Sequence, residues 1–503
     1  MVQYSAVIDI MSSEIDFSLK VLHVAPECAP LAKKGGLGDV IGSLPKALKK
    51  YGIDARVLMP AWPGVIDSAA KKGTLGKNPL GEISIALNWR AWTALVWEAE
   101  ISDTHIYLLE QPELFANPDI YPEKLTLENA LPFMFLSFAP FELIRHTGWK
   151  PQFLHAHDWM TAPMPAALRW HRYYSFFNGD FDTVFTIHNL AHQGIFDPSG
   201  LDGWGFEPEA FSPLNVNSME FYGHTNFMKG AIITSEAVTT VSPSYSWNIQ
   251  TTDGGCGLDG VIVANKNKLH GIINGIDYGI WNPGTDGFIP KNFSSSNISG
   301  KRECRKALLK KCGIKDDGRP VIVFVGRLTE QKGIDIMLDA LEKFLPEDIF
   351  AVIVGSGNEL YNRKLIEFAE DYPDSVHAFT GFSDEMAHLA YAGGDILIMP
   401  SLFEPCGLSQ LIAFAYGTIP VVRATGGLAD TVIDADGSSD GTGFLFTDYS
   451  IEEFVKALNR ALSAKKDTAR WNMIIKNAMA QDFSWDASAK AYAELYHNII
   501  TSD

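Results

Sequence analysis

The sequence predicts an α/β protein of two Rossmann-like, doubly wound parallel sheets facing an interdomain cleft, and three observations carry that prediction. Short apolar runs alternate with helical patterns almost from end to end. The 503 residues fill two α/β domains of roughly 150–250 residues each. A turn-rich seam interrupts the repeats past the middle of the chain.

Strands are expected at Val21–Ala25, Arg56–Met59, His105–Leu109, Phe153–His155, Thr183–Ile187 and Val238–Val241. A second series is expected at Val321–Val325, Phe350–Val354, His377–Thr380, Ile396–Met399 and Ile419–Val422. Val, Ile, Leu and Phe runs without polar alternation suit parallel strands buried on both faces. Helical spacing between them appears at Leu37–Lys50, Ile334–Phe344, Asp384–Ala392 and Leu408–Tyr416. Repeated βα units imply right-handed crossovers. The seam lies between Trp281 and Arg319, where Asn282–Gly287 and Ser294–Ser299 read as linker and Lys301–Lys311 as a basic helix. The expected division is an extension over 1–18, a first domain over 19–284, linker and helix over 285–318, and a second domain over 319–484. A final helix over 485–503 is expected to pack back on the first domain. Ligands of open α/β sheets bind at the carboxyl edge of the strands, which puts the expected site between the domains.

Forty-one Lys and Arg against 60 Asp and Glu give 41 − 60 = −19, a charge that repels polyanions and disfavours nucleic acid as a partner. Five scattered cysteines without a C-x-x-C pair argue against a disulfide scaffold or structural zinc, and for a reducing compartment. Asp9, Glu14 and Asp16 break up any signal-like start, and no run of about 18 apolar residues is long enough to span a membrane. The expectation is a soluble intracellular protein.

The segment Gly326–Gly333 carries Arg327 and Lys332 off the end of a buried strand within one loop. A guanidinium fork and a compact ammonium at that edge suit a diphosphate, whereas a lone surface Arg paired with Glu330 would be the ordinary alternative. In Ser401–Gln410 a strand gives way to a helix, and the N–H groups of Gly407, Leu408 and Ser409 would face an anion. Glu404 is poorly placed to cap that helix and well suited to hold neighbouring sugar hydroxyls. Cys406 is either a nucleophile or, more commonly for such a thiol, inert and buried.

His155–Trp159 and Thr186–Leu190 end two strands of the first half. His157 with Asp158 allows a metal reading and His188 a general base, but no third ligand accompanies the former. Hydrogen bonding to a polar substrate is the favoured reading for both. Trp62, Trp89, Trp92, Tyr121 and Trp159 are aromatics in polar company that suit sugar stacking or, as most Trp do, core packing. Gly35-Gly36-Leu37-Gly38-Asp39 is echoed by Gly426-Gly427-Leu428-Ala429-Asp430.

Lys33–Val40 resembles the K-x-G-G-L-x-D signature of bacterial glycogen synthases and plant-type starch synthases. His155–Trp159, Ile187–Gly194, Asn274–Asp277, Gly326–Gly333, Phe403–Gln410 and Thr425–Asp430 follow in that family's order, from about Lys20 to about Tyr496. The resemblance implies a GT-B fold and a retaining transfer of glucose from ADP-glucose to the non-reducing end of an α-1,4-glucan. It implies catalytic roles for Lys33, Asp39, His188, Arg327, Lys332 and Glu404. Donor contacts would come from Gly35, Gly36, Asn274, Gln331, Cys406, Gly407, Leu408 and Ser409, and acceptor contacts from Tyr121, Asn129, His157, Asp158 and Trp159. No metal or other cofactor is expected, since Arg327 and Lys332 would neutralise the leaving diphosphate. His192, Lys34 and Glu128-Asn129 depart from the family pattern, which bears on acceptor preference rather than reaction type. Location would be cytoplasmic in a bacterium, or plastid stroma or starch granule in a photosynthetic eukaryote.

Two other readings stand beside this one: a GT-B transferase using UDP-glucose with a different acceptor, and an inactive glucan-binding homologue. A dehydrogenase would need G-x-G-x-x-G after Val21–Ala25, and a phosphorylase a pyridoxal-phosphate lysine signature; neither is found.

Overall fold

The computed structural model describes residues 19–381 and 383–502. The expected extension over 1–18 lies outside the described residues. The chain forms two compact units.

The first unit runs to Thr186, resumes over His192–Ala237 and ends with the tail from Ala489. Its sheet contains β1 (Leu19–Val24), β2 (Ile53–Pro60), β3 (Gly81–Leu87), β4 (Arg90–Ile101), β5 (Thr104–Glu110), β6 (Phe153–His157) and β7 (Asp182–Ile187), in the order β7-β6-β1-β2-β5-β4-β3. The strands β7, β6, β1, β2 and β5 are parallel and carry the continuous apolar runs; Val21, Leu22 and Val24 are wholly buried. By contrast, β3 and β4 form an antiparallel hairpin that no expected element covers. Ile83, Ile85 and Leu87 of β3 are buried while Glu82, Ser84 and Ala86 are exposed, the two-residue alternation of a half-solvated edge. A search for unbroken apolar runs passes over such a strand. Three short strands, β8 (Ile195–Phe196), β9 (Glu220–Phe221) and β10 (His224–Asn226), make a small separate sheet.

The second unit takes Ile187–Ala191 and Val238–Ser488. It contains the parallel pair β11 (Ala237–Thr240) and β12 (Leu269–Gly271). Its main sheet consists of β13 (Val321–Val325), β14 (Phe350–Gly355), β15 (Val376–Thr380), β16 (Ile396–Met399), β17 (Ile419–Arg423) and β18 (Phe444–Phe446). All six are parallel, in the order β15-β14-β13-β16-β17-β18. Counted within the unit this is 3-2-1-4-5-6, the Rossmann order, whose switch point lies between β13 and β16. The first unit's parallel strands read 3-2-1-4-5 by the same count, with the switch point between β1 and β6.

The seam behaves differently from a linker. Asp286 is buried and its carboxylate takes Nδ1 of His388 at 2.8 Å and the hydroxyl of Tyr416 at 2.5 Å. Ile289 and Phe293 join the second unit's core. The turn residues of Asn282–Gly287 are there because the chain bends sharply into that core, so composition alone misreads them as loose. The compact division falls at Ala237/Val238 rather than at 284/285. The helix Trp485–Ser502 spans that division: Ser488 Oγ donates to the carbonyl of Ile273 at 2.5 Å, while Tyr496 meets His155 in the first unit. Among the described residues no helix is long and apolar enough to cross a membrane.

Burial holds His23 neutral, its imidazole pushed down to about 3, and His171 is pushed down to about 4 by the same cause. Both folded values lie below the free value, so the unfolded chain binds more protons as acidity rises. The stability these residues contribute is present above about pH 6.5 and is lost as pH falls toward 4, by up to ~1.4 kcal/mol per pH unit for each. Urea titrations at pH 7 and pH 5 should therefore show the midpoint falling on acidification, and a pH-independent midpoint would contradict the burial argument.

Candidate active site

In the second unit the switch point gathers the chemistry. Gly326 N–H donates to Val354 O at 3.1 Å and Leu328 N–H to Ser356 O at 2.9 Å, which holds the loop after β13 against β14. Leu328 is wholly buried, and Arg327 beside it is exposed, with no ion pair among the described residues. The short turn Glu330–Lys332 ends at Gly333, where φ is +67° and an added Cβ would lie 2.1 Å from Pro400 O. Only glycine fits that approach. Leu402 N–H donates to Gln331 O at 2.9 Å, and Gln331 Nε2 to Phe403 O at 3.2 Å, lacing the loops after β13 and β16 together.

That lacing brings Lys332 and Glu404, 72 residues apart, to 2.5 Å. Ser401 Oγ donates to the same carboxylate oxygen at 3.1 Å, and Glu404 is only 5% exposed. Arg327 and Lys332 are thus in different states: one free at the surface, the other already paired. Next along the chain, Ser409 Oγ donates to Val325 O at 3.0 Å and fixes the start of the helix Ser409–Ala415 at the end of β13. The N–H groups of Gly407 and Leu408 have no acceptor among the described residues. Cys406 is buried and its thiol is pushed up to about 12, which rules it out as a thiolate nucleophile near neutral pH.

The second G-G-L copy is a brace for this loop. Gly426 has φ +47°, and a Cβ on it would lie 2.0 Å from Glu404 O; one on Gly427 would lie 2.2 Å from Cys406 O. Asp430 accepts from Ser244 N–H at 2.8 Å and Oγ at 2.6 Å, and Ser242 Oγ donates to Pro405 O at 2.7 Å. Asn274 sits beside Cys406, whose sulfur bonds its backbone, and Asn274 Oδ1 is buried with no hydrogen-bond partner among the described residues. His188, at the end of β7, is desolvated and pushed down to about 3. A neutral imidazole there hydrogen-bonds; it is too weak a base for proton abstraction at pH 7.

In the first unit the first G-G-L copy opens the helix Gly36–Leu48 at its own switch point. Gly35 has open space where a Cβ would stand, so packing does not demand the glycine. Lys33 Nζ pairs with Asp39 Oδ1 at 2.7 Å, both partly exposed. Sequence reasoning missed Glu27. Its carboxylate, 1% exposed, accepts the N–H of Gly35 at 3.0 Å, the N–H of Lys34 and the Tyr121 hydroxyl. Burial raises its pKa while these three bonds work the other way. A charged residue directly after a buried strand in the apolar company of Ala25, Pro26, Cys28 and Ala29 was the available signal.

The other residues expected at the acceptor are placed less openly. Asn129 braces its own turn, accepting from Thr126 N–H at 2.8 Å and donating to Lys124 O. Trp159 packs edge-on against Phe133 at 4.9 Å and against Phe196, so it is core rather than a stacking platform. Asp158 is almost buried at φ +57°, its N–H on Thr186 O at 2.9 Å. His157 is buried among His23 and His155, with His23 Nδ1 3.1 Å from His157 Nε2. Both ring nitrogens of His155 are engaged, by Tyr496 Oη at 2.7 Å and Thr186 Oγ1 at 2.6 Å, which leaves two imidazoles where zinc needs more ligands.

Comparison with known proteins decides the family. A profile described as starch synthase catalytic domain matches residues 20–264, and one described as glycosyl transferases group 1 matches residues 306–478. A glycogen synthase of Geotalea daltonii is 40% identical, covering 96% of this chain and 99% of that protein. The chain belongs to the glycogen and starch synthase family. A glycogen synthase of Bacillus cereus is 38% identical over 96% of this chain and its own full length. The catalytic domain of starch synthase IV from Arabidopsis thaliana, solved bound to ADP and acarbose, superimposes with a TM-score of 0.86 at 32% identity, covering 96% of this chain and all of that one. Sucrose-phosphate synthase from Thermosynechococcus elongatus shares the fold at 18% identity and a TM-score of 0.60, covering 96% of this chain and all of that one. The fold is GT-B, and the chain is a glucosyltransferase that elongates a glucan.

Glu27 ties the Lys33–Asp39 loop to Tyr121. Glu27→Ala removes three acceptor interactions and should lower kcat about 10-fold or more, while Glu27→Gln, which can accept from both N–H groups and donate to Tyr121, should keep most of the activity. Steady-state kinetics of the two variants check this, and equal loss in both would contradict it.

Proposed function

We propose that the enzyme transfers glucose from ADP-glucose to the non-reducing end of an α-1,4-glucan with retention of configuration. The observation that carries the reading is the Lys332–Glu404 pair beside an unpaired Arg327 at the second sheet's switch point. A diphosphate takes the ammonium of Lys332 and the fork of Arg327. Glucose hydroxyls take the carboxylate of Glu404 that Lys332 gives up. Substrate binding in this scheme exchanges one buried ion pair for two charge-assisted contacts, so neither charge is left uncompensated.

The N–H groups of Gly407, Leu408 and Ser409 add to the diphosphate site, and Gln331 holds the loop that presents Lys332. Asn274 Oδ1, buried and unpartnered, takes a sugar hydroxyl. Neutral His188 contacts the 6-hydroxyl side. Lys33 and Asp39, with the open Gly35-Gly36 turn, belong to donor recognition. Tyr121 belongs to the acceptor, while Asn129, His157, Asp158 and Trp159 shape that side by supporting it.

The leaving group departs as a stabilised anion, so positive charge and N–H dipoles replace a general acid. The acceptor hydroxyl attacks from the face the diphosphate leaves, and the departing phosphate takes its proton. Backbone carbonyls and Glu404 supply negative potential to the oxocarbenium-like centre. A double displacement through Glu404 is disfavoured by its pairing with Lys332 and Ser401. ADP-glucose is preferred over UDP-glucose because the starch synthase IV relative is bound to ADP, and the bacterial relatives favour the cytoplasm.

Turnover with ADP-glucose and UDP-glucose side by side, on malto-oligosaccharides, tests the reading: faster transfer from ADP-glucose is expected, and no transfer from either donor would overturn it. Arg327→Ala should cut kcat by about 10²–10³ with an unchanged melting temperature, because Arg327 is exposed and unpaired. Lys332→Ala should cost as much activity and also destabilise by up to ~3–5 kcal/mol by stranding Glu404. Adding Glu404→Gln to Lys332→Ala should restore stability but not turnover; near-normal kcat in either single variant would refute the clamp.

A further inference from the structure

We propose that Trp89, at the tip of the β3–β4 hairpin, is a stacking platform for a long α-glucan, a binding site remote from the reacting end. The proposal rests on the glucan-elongating reading above and adds a subsite to it. Leu87 pairs with Arg90, so Asn88 and Trp89 alone make the turn, with φ of +51° and +62°. Two left-handed residues define a type I′ hairpin, which favours Asn followed by Gly. Asn88 fits its place. Trp89 does not, and its side chain is 80% exposed, so burial gives nothing back for the unfavourable backbone. The next turn of the same meander, Ser102-Asp103, has the same geometry and uses small polar residues. A local rule broken without a packing gain marks a ligand contact more often than chance.

Topology puts the tip on the right edge. Strand β4 runs antiparallel to both β5 and β3, so β3 points the same way as β1, β2, β5 and β6. The β3–β4 turn therefore lies at the carboxyl edge of the first unit's sheet, with the Lys33–Asp39 loop and Tyr121. Four strand spacings separate β3 from β1, about 19 Å. That span suits a chain of several glucosyl residues and excludes a short oligosaccharide held at its end.

The tip is also built for the task. Asn88 N–H donates to Gly203 O at 2.6 Å, and Gly203 has no Cβ because one would lie 2.4 Å from Asn88 Oδ1. The indole is thus presented from a fixed turn. Arg90 and Glu113, paired at 3.0 Å and both more than half exposed, flank it with donors and acceptors for hydroxyls, and Arg90 stacks on Trp92 at 3.8 Å. An indole face meets the C–H face of a pyranose, and polar neighbours meet its rim. A glucan bound at both its end and Trp89 gains from effective concentration, whereas a short acceptor does not.

Trp89→Gly separates the roles, since it installs the residue the turn prefers. Its melting temperature should equal or exceed that of the parent, and its kinetics on maltotriose should stay within about two-fold, while KM for glycogen or amylose rises about 5–10-fold. Electrophoretic retardation in a glycogen-containing gel, run without donor, should fall, and Trp89→Phe should recover part of it. Unchanged retardation and polymer KM would overturn the proposal, as would a lowered melting temperature or equal losses on both acceptors. Because the gel needs no turnover, a failure of the transferase reading would show separately, as absence of product from every acceptor with the parent enzyme.

Discussion

The contact between Lys332 and Glu404 is the constraint around which the second unit is arranged. A lysine and a glutamate brought out of water cost several kcal/mol each unless they meet with good geometry and further hydrogen bonds. Ser401 supplies one such bond, and the Gln331 bonds to Leu402 and Phe403 hold the two loops in register. Glycine at 333, 426 and 427 lets backbone approach backbone where any side chain would collide. The arrangement keeps a cation and a carboxylate dry and ready at the sheet's switch point. Hydrophobic packing of β13 and β16 alone would not specify it.

The two G-G-L copies show how one local pattern serves two ends. Around Gly426 the glycines are dictated by contact with the carbonyls of Glu404 and Cys406, and Asp430 is spent on Ser244. Around Gly35 there is open space, and the nearby N–H groups of Lys34 and Gly35 are held by a buried carboxylate. One copy supports the Glu404–Cys406 loop from behind. The other is anchored by its N–H groups to Glu27 and leaves open space on the side-chain side of Gly35.

Much of this was legible in the chain and some was not. Val321–Val325 and Ile396–Met399 stand where their unbroken apolar runs put them, because a parallel strand buried on both faces leaves no room for polar alternation. The β3–β4 hairpin escaped because its alternating pattern is that of an edge with one wet face. Arg327, Lys332 and Glu404 were visible as charges following buried strands. The pairing of the last two was not, since a contact across 72 residues depends on which strands become neighbours. The role of Glu27 was hidden for a related reason, although its charge in apolar company was a signal: its partners are backbone groups and a tyrosine 94 positions away. For Trp159 the chain left sugar stacking and core packing open, and the contacts with Phe133 and Phe196 decide for the core.

The most direct test is a crystal structure with ADP bound. The diphosphate should lie within hydrogen-bonding distance of Arg327 and Lys332, with Lys332 drawn away from Glu404 and the N–H groups of Gly407–Ser409 facing an oxygen. Nucleotide bound elsewhere, with the Lys332–Glu404 pair intact and Arg327 in solvent, would contradict the account.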